Sequence, residues 1–264
     1  MKKVLNTSSG ECVHRNILQL IETHKGREVV LCQEICDGSL AQRDFLEAAS
    51  SFDNDTKVDL CRQIMAGITK LHELNVWHCN IKPSNILYKR RSANSIVIKV
   101  ADMGIYMNGN YSKEGGGGVE FADVGVSENL RGVNAETAAY MPREILTDVA
   151  AQTPARSIAH DVFSLGCMFH FVLTSGAHPF SPEFVMGGIS FSTLSRIIVE
   201  RIVRATDPPR ITPRMLGGGG ILGAIMSREA FQGAGALIKR LTDPNPENRG
   251  DLIAVQNDPF FKNE

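Results

Sequence analysis

The run VFSLGCMFHFVL, residues 162–173, sets the tightest limit on what this chain can fold into. It is the longest apolar run, yet it is too short and too interrupted to cross a bilayer, which takes about 20 consecutive apolar residues. Such a segment is a core helix that needs neighbours on most of its faces. The chain offers them. From Asn54 to Val76 apolar residues recur at helical spacing (Val58, Cys61, Ile64, Met65, Ile68, Leu71) behind an Asp/Asn/Thr start. Further helical patterns cover 158–174, 190–205 and 229–242.

Strand patterns gather near the N-terminus. NILQLIE (16–22) and EVVLCQEI (28–35) read as two strands joined by a polar THKGR turn, and CDGSL then breaks the pattern. ILYKR (86–90) and SIVIKVAD (95–102), separated by RSAN, read as a second pair. Residues 105–139 are poor in large apolar side chains and contain a glycine run at 115–118. They are expected to form a long mobile segment, and loops of that length are usually functional or disordered. A second glycine run at 217–220 is expected to be an insertion between helices. Neither run has the G-x-x-x-x-G-K-[ST] pattern or the strand-to-helix setting of a phosphate cradle.

With 264 residues, 43% of them apolar and 22% charged, the chain can build one large domain or two small ones. A formal net charge of -1 gives no reason to expect nucleic acid or an anionic membrane as partner. The six cysteines make no C-x-x-C pair, and Cys32 and Cys36 lie in an apolar run, so they read as reduced thiols in a non-secreted protein. MKKVLNTSSGEC lacks the apolar stretch of a signal peptide. No membrane segment is expected in this chain; its location is left open, with a cytosolic or cytosol-facing one as the expectation.

The chemistry lies in five pieces that keep one order. HCNIKPSN (78–85) resembles the protein-kinase catalytic loop H-R-D-L-K-P-x-N, and ADMG (101–104) stands where that family has D-F-G. YMPREIL (140–146) resembles the segment ending in A-P-E, DVFSLGCMF (161–169) the buried helix after it, and LTDPNPENR (241–249) the closing D-P-x-x-R element. Finer matches are similar to the inositol-requiring stress-sensor kinases and ribonuclease L: EIC (34–36), LHELNVWHCNIKPSNIL, DVFSLGCMFHFVLTSGAHPF and DPFF. In that group a ribonuclease domain follows the kinase; this sequence stops at DPFFKNE, so no nuclease is expected from it.

The resemblance implies an α+β, protein-kinase-like fold, mostly the helical C-lobe with a short β remnant of the N-lobe. Residues 1–38 would form the remnant and hinge, 39–264 the C-lobe, and 102–144 the activation segment. It implies phosphoryl transfer from Mg-ATP to serine or threonine of a protein substrate. Asp102 and Asn85 would hold magnesium, Lys82 would stand by the transferring phosphoryl group, and the backbone around Glu34 and Cys36 would bind adenine, with Gln33 at the rear pocket. A KPSN turn or an Asp before Gly is by itself ordinary turn chemistry; the three residues Lys82, Asn85 and Asp102 at the family's spacing are what carry the reading. Glu144 and Arg249 match a bracing ion pair. Asp161 would accept hydrogen bonds from the catalytic-loop backbone, His78 would hold that loop, and His170 and His178 read as structural.

Several departures bear on activity. Asn80 stands at the position of the catalytic aspartate and cannot take a proton, a loss that typically costs ~10²–10⁴ in rate. Cys79 replaces the arginine that pairs with a phosphorylated activation loop, although Ser112, Ser127 and Thr137 remain candidates for modification. YMPREIL lacks the usual Ala-Pro. Only 13 residues precede HRNILQLIE, too few for a glycine-rich lid, the V-A-I-K lysine and the helix of its glutamate partner. A truncated upper lobe, or one completed by a partner or a second copy, is therefore expected. The alternative to an impaired kinase is a pseudokinase that acts as a protein-binding scaffold. An unrelated helical scaffold would need five coincidental motifs in order.

Overall fold

The computed structural model describes residues 14–25, 29–92, 95–103, 126, 133–147, 154–182, 190–212 and 228–262. Both glycine runs, Ser112 and Ser127 lie outside them. The order is β1 (Leu20–Lys25), β2 (Val29–Gln33), β3 (Gly38–Ser39), α1 (Arg43–Ala49), α2 (Asn54–Glu73), β4 (Ile86–Ser92) and β5 (Ser95–Val100). Then follow α3 (Ala135–Ala139), α4 (Arg143–Thr147), α5 (Pro154–Leu173), α6 (Phe191–Arg204), α7 (Arg228–Leu241) and α8 (Leu252–Gln256). The result is an α+β chain: two small antiparallel sheets at one side and a larger helical body.

The apolar run at 162–173 is the axis of that body. In α5, Val162, Leu165, Cys167, Met168 and Phe169 are all fully buried, with α2 on one side and α7 on another. Gly166 permits the close approach of α7, since a Cβ there would lie 2.7 Å from the Leu241 Cβ. On α2, Gly67 does the same for the sheet: a Cβ would lie 2.7 Å from the Asn16 carbonyl oxygen and from a Val100 methyl. Helix α2 starts where the sequence places it, with the Asp53 carboxylate accepting from the Thr56 N–H at 2.8 Å.

The strands depart from expectation in their limits. Residues 16–18 do not belong to the first hairpin; they run beside β5, with Leu18 N–H donating to Val100 O at 2.9 Å and Val100 N–H to Asn16 O at 2.8 Å. The Asn16 amide seals this junction by donating to Gln63 Oε1 and Ile98 O, both at 3.0 Å. The hairpin β1–β2 instead uses His24 and Lys25, residues expected in the turn, opposite Val30 and Val29. Four short helices, α1, α3, α4 and α8, went unseen. Helix α1 follows CDGSL and is anchored by Phe45, which packs on Tyr88 with ring centroids 5.0 Å apart. Helix α3 lies inside the segment expected to be mobile, its N-terminus capped by Asn134 Oδ1 accepting from Thr137 N–H at 2.8 Å. Residues 133–139 therefore depart from that expectation, and most of the rest of the segment lies outside the described residues.

Candidate active site

The loop 77–85 connects α2 to β4 and is held from inside the helical body. Asp161, on α5 and fully buried, accepts from His78 N–H at 2.8 Å, Cys79 N–H at 2.7 Å and His72 Nε2 at 2.7 Å. Burial alone would raise its carboxyl pKa; the hydrogen bond and charge of His72, with smaller contributions from His78 and His160, hold it below the usual range. The loop backbone is pulled into an uncommon shape, with Cys79 at φ 54°. Asp102, at the far edge of the site, also adopts a left-handed conformation at φ 56°. Such residues persist where surrounding contacts over-determine them, and they cluster at functional sites.

Three of the expected residues, Asn80, Asn85 and Asp102, are linked there by hydrogen bonds, and Lys82 lies on the same loop. Asn80 is 5% exposed; its Nδ2 reaches toward Asp102 Oδ2 at 3.4 Å, and its Oδ1 is buried with no partner among the described residues. Asn85 donates from Nδ2 to the Asn80 carbonyl at 2.8 Å, and its own carbonyl accepts Ala101 N–H at 3.0 Å, tying the loop to the approach of Asp102. Lys82 donates from Nζ to Thr137 Oγ1 at 2.8 Å and lies 3.6 Å from Glu136 Oε2. Thr137 is thus buried and engaged, which corrects its place among the modification candidates: its hydroxyl orients Lys82 and is not offered to solvent.

Glu34 and Cys36 lie beyond β2 and do not join that cluster by any bond. The Glu34 carboxylate accepts from Lys99 at 2.7 Å and Lys89 at 3.0 Å, pinning the segment to β5 and β4. Burial pushes its pKa up, but Lys99, the Gln19 N–H and Lys89 together bring it below the ordinary value. Burial, then the charge of Glu34, pushes the Cys36 thiol up, so it stays protonated. At the opposite end, Arg249 is fully buried and forks onto Glu144, with Nη1–Oε1 at 2.6 Å and Nη2–Oε2 at 3.0 Å. Its remaining donors reach the carbonyls of Ala159, Asp243 and Pro244.

The donor set suits a hard cation. Asn85 spends its amide nitrogen on Asn80 O, which leaves its oxygen for a metal, and Asp102 adds a carboxylate. Magnesium is commonly held by one or two carboxylates with substrate phosphates and water rather than by an all-protein cage. No group of three or more His, Cys, Asp or Glu that could hold a metal occurs among the described residues. Sequence reasoning missed Thr137 and Glu136 on Lys82, His72 on Asp161, and the two lysines on Glu34. The Asn134-to-Thr137 cap pattern was the available signal for the first; the others join residues far apart in the chain.

Comparison with known proteins agrees with the geometry. The protein kinase domain family matches residues 3–261. The chain is 27% identical over 234 residues to the serine/threonine-protein kinase/endoribonuclease ire-1 of Caenorhabditis elegans, covering 88% of this chain and 20% of that protein. It is 31% identical over 197 residues to the kinase/endoribonuclease ireA of Aspergillus fumigatus, covering 62% of this chain and 16% of that protein. The chain thus spans about a fifth or less of the length of these two relatives. Among solved structures, Rad53 residues 1–466 in complex with AMP-PNP superposes with a TM-score of 0.60 at 20% identity, covering 96% of this chain and 52% of that one. That likeness establishes a protein-kinase-like fold. No helix among the described residues is long and apolar enough to cross a membrane. With its match running nearly from end to end, the chain belongs to the protein kinase domain family.

Proposed function

We propose that this domain binds Mg-ATP and transfers its γ-phosphoryl group to serine or threonine of a protein, at a rate reduced by the asparagine at position 80. The observation that carries the reading is the convergence of Asn80, Lys82, Asn85 and Asp102 on one loop edge. Residues 1–38 supply the upper-lobe and hinge part, with Glu34 and Cys36 presenting backbone to adenine, and 39–264 the lower lobe with the activation segment 102–144. Asp102 and Asn85 would hold magnesium, which when bound would supply positive charge to offset that developing on the transferred phosphoryl group.

The acceptor hydroxyl oxygen bonds to phosphorus as the bond to the ADP oxygen breaks. Lys82, steadied by Thr137, places its ammonium beside the phosphoryl oxygens. Asn80 Oδ1, the buried acceptor without a partner, can receive the hydroxyl's hydrogen bond and orient its oxygen, but the proton leaves to solvent or phosphate. A radiolabelled-phosphate assay tests this. Asn80→Asp is expected to raise transfer by ~10²–10⁴-fold and Asp102→Ala to remove it; transfer equal in the native chain and Asp102→Ala contradicts the reading. A second reading, a pseudokinase that binds protein partners, is favoured by the same neutral Asn80 and by Cys79. It predicts no Asp102-dependent transfer in either the native chain or Asn80→Asp.

A further inference from the structure

The amide at position 80 leaves a specific vacancy in the chemistry: some other group has to take the proton of the acceptor hydroxyl, or none does. Two carboxylates near the loop are already committed. Asp161 is fully buried and accepts from His78 N–H, Cys79 N–H and His72 Nε2. Asp102 is assigned to metal under the proposed function. His78 keeps an Nε2 without a partner among the described residues, but it is 0% exposed, so a hydroxyl from outside does not reach it.

Glu136 on α3 is placed differently. Its Oε2 lies 3.6 Å from Lys82 Nζ, longer than a hydrogen bond, and the carboxylate makes no hydrogen bond to another described residue. The side chain is 23% exposed and borders the hollow that opens beside Pro83 and Ser84, so water and a bound segment both have access to it. Its position is fixed from the next residue. Thr137 N–H donates to the Asn134 side chain at 2.8 Å, and Thr137 Oγ1 accepts from Lys82 Nζ at 2.8 Å. The ammonium is therefore bracketed by a hydroxyl that binds it and a carboxylate that stands slightly off. Opposite Lys82 that carboxylate adds no net charge to repel the phosphates.

We infer that Glu136 is the proton acceptor of this site and supplies, from the α3 side, part of what position 80 has lost. The inference rests on the phosphoryl-transfer reading. Lys82 stands beside the phosphoryl oxygens in that reading, so a carboxylate 3.6 Å from its ammonium meets the attacking oxygen directly or through one water. Asn80 Oδ1 orients the hydroxyl. As the hydroxyl oxygen bonds to phosphorus, its O–H bond breaks and the proton passes to a Glu136 carboxylate oxygen. The bond from phosphorus to the ADP oxygen breaks with its electron pair left on ADP. The neutral Glu136 acid then gives its proton to solvent through its exposed side.

Glu136→Gln keeps the size of the side chain and removes its capacity to take a proton. Phosphate transfer to a serine peptide is measured in four chains: native, Glu136→Gln, Asn80→Asp and the double variant. In the native background Glu136→Gln is expected to lower kcat by ~10²-fold, the lower end of general-base effects, with the peptide KM and the melting temperature little changed. In the Asn80→Asp background the same substitution should cost less than about threefold, because the carboxylate introduced at position 80 takes the proton, and two groups sharing one task are not additive. A role confined to steadying Lys82 would cost equally in both backgrounds, and that result overturns the inference. So does a rise in native transfer on Glu136→Gln, which would mean that Glu136 masks Lys82. Transfer that depends on Asp102 but is indifferent to Glu136→Gln overturns this inference alone. Absence of Asp102-dependent transfer in both the native chain and Asn80→Asp overturns the transfer reading and this inference with it.

Discussion

The helical body and the hairpin β1–β2 are built to different standards. In the body, α5 is packed on every described face and Arg249 satisfies its donors on Glu144 and three carbonyls while wholly excluded from water. In the hairpin, Ile21, Val30 and Leu31 are 56%, 53% and 46% exposed, and a two-stranded sheet is marginal in water by itself. The difference shows where the chain's stability resides. The catalytic loop is fastened to the rigid part, through Asp161, whereas Glu34 and Cys36 belong to the looser edge and depend on Lys89 and Lys99 for their position. Under the proposed function, the residues that would serve metal and phosphate stand on the rigid part and those that would serve adenine on the looser edge.

The comparison can be broken most forcefully at Arg249. Arg249→Ala leaves Glu144 without its charge partner in a largely buried setting, and a loss of about 3–5 kcal/mol is expected in denaturant unfolding. A loss below about 1 kcal/mol would mean the brace carries no more than a surface pair. Acid probes the body next. Burial pushes the His170 pKa down from 6.5 to about 4, so the unfolded chain takes up this proton first. The stability it contributes is complete above about pH 6.5 and drains away as pH falls toward 4, by about 3 kcal/mol from the 6.5 − 4 shift. His170→Gln should flatten that part of the pH–stability curve; an unchanged slope would contradict the assignment.

Thiol reactivity sharpens the contrast without changing stability. Burial pushes the thiols of Cys61, Cys79 and Cys167 well up, while Cys32 and Cys36 on the hairpin side are part-exposed. Among the described cysteines, alkylation of the folded chain should label part-exposed Cys32 before Cys36, whose thiol burial and Glu34 push up, and early labelling of Cys167 would show that the body opens readily. The smallest effect is expected at the hairpin surface. Val30→Thr should alter unfolding free energy by less than about 0.5 kcal/mol. A large loss would mean that Val30 is covered in solution, by a partner or a second copy.

How much of this could be read in the sequence follows the same division. Long periodic segments were legible: α2, α5, α6 and α7 lie within a few residues of their expected limits, because each carries its apolar stripe for several turns. The proposed site positions Asn80, Lys82, Asn85 and Asp102 stand at motif spacing in the sequence, and hydrogen bonds link Asn80 with Asn85 and Asp102. Short elements were not legible. Helix α1 has seven residues and α3 five, too few for a period to rise above the surrounding polar sequence. The strand limits shifted because residues 16–18 exchange hydrogen bonds with β5, more than eighty residues away, and no local pattern announces that pairing. Nor does local pattern reveal that Thr137 serves Lys82, which is a contact of the folded chain alone.

Under the proposed function, the metal-phosphate half of the site is assembled although a proton-accepting residue is lacking at position 80. Calorimetric titration of the chain with ATP, with and without magnesium and against Asp102→Ala, tests it directly. Magnesium-dependent binding that is lost in Asp102→Ala is the result expected. Binding of equal strength in all four titrations, or none in folded protein, would contradict it.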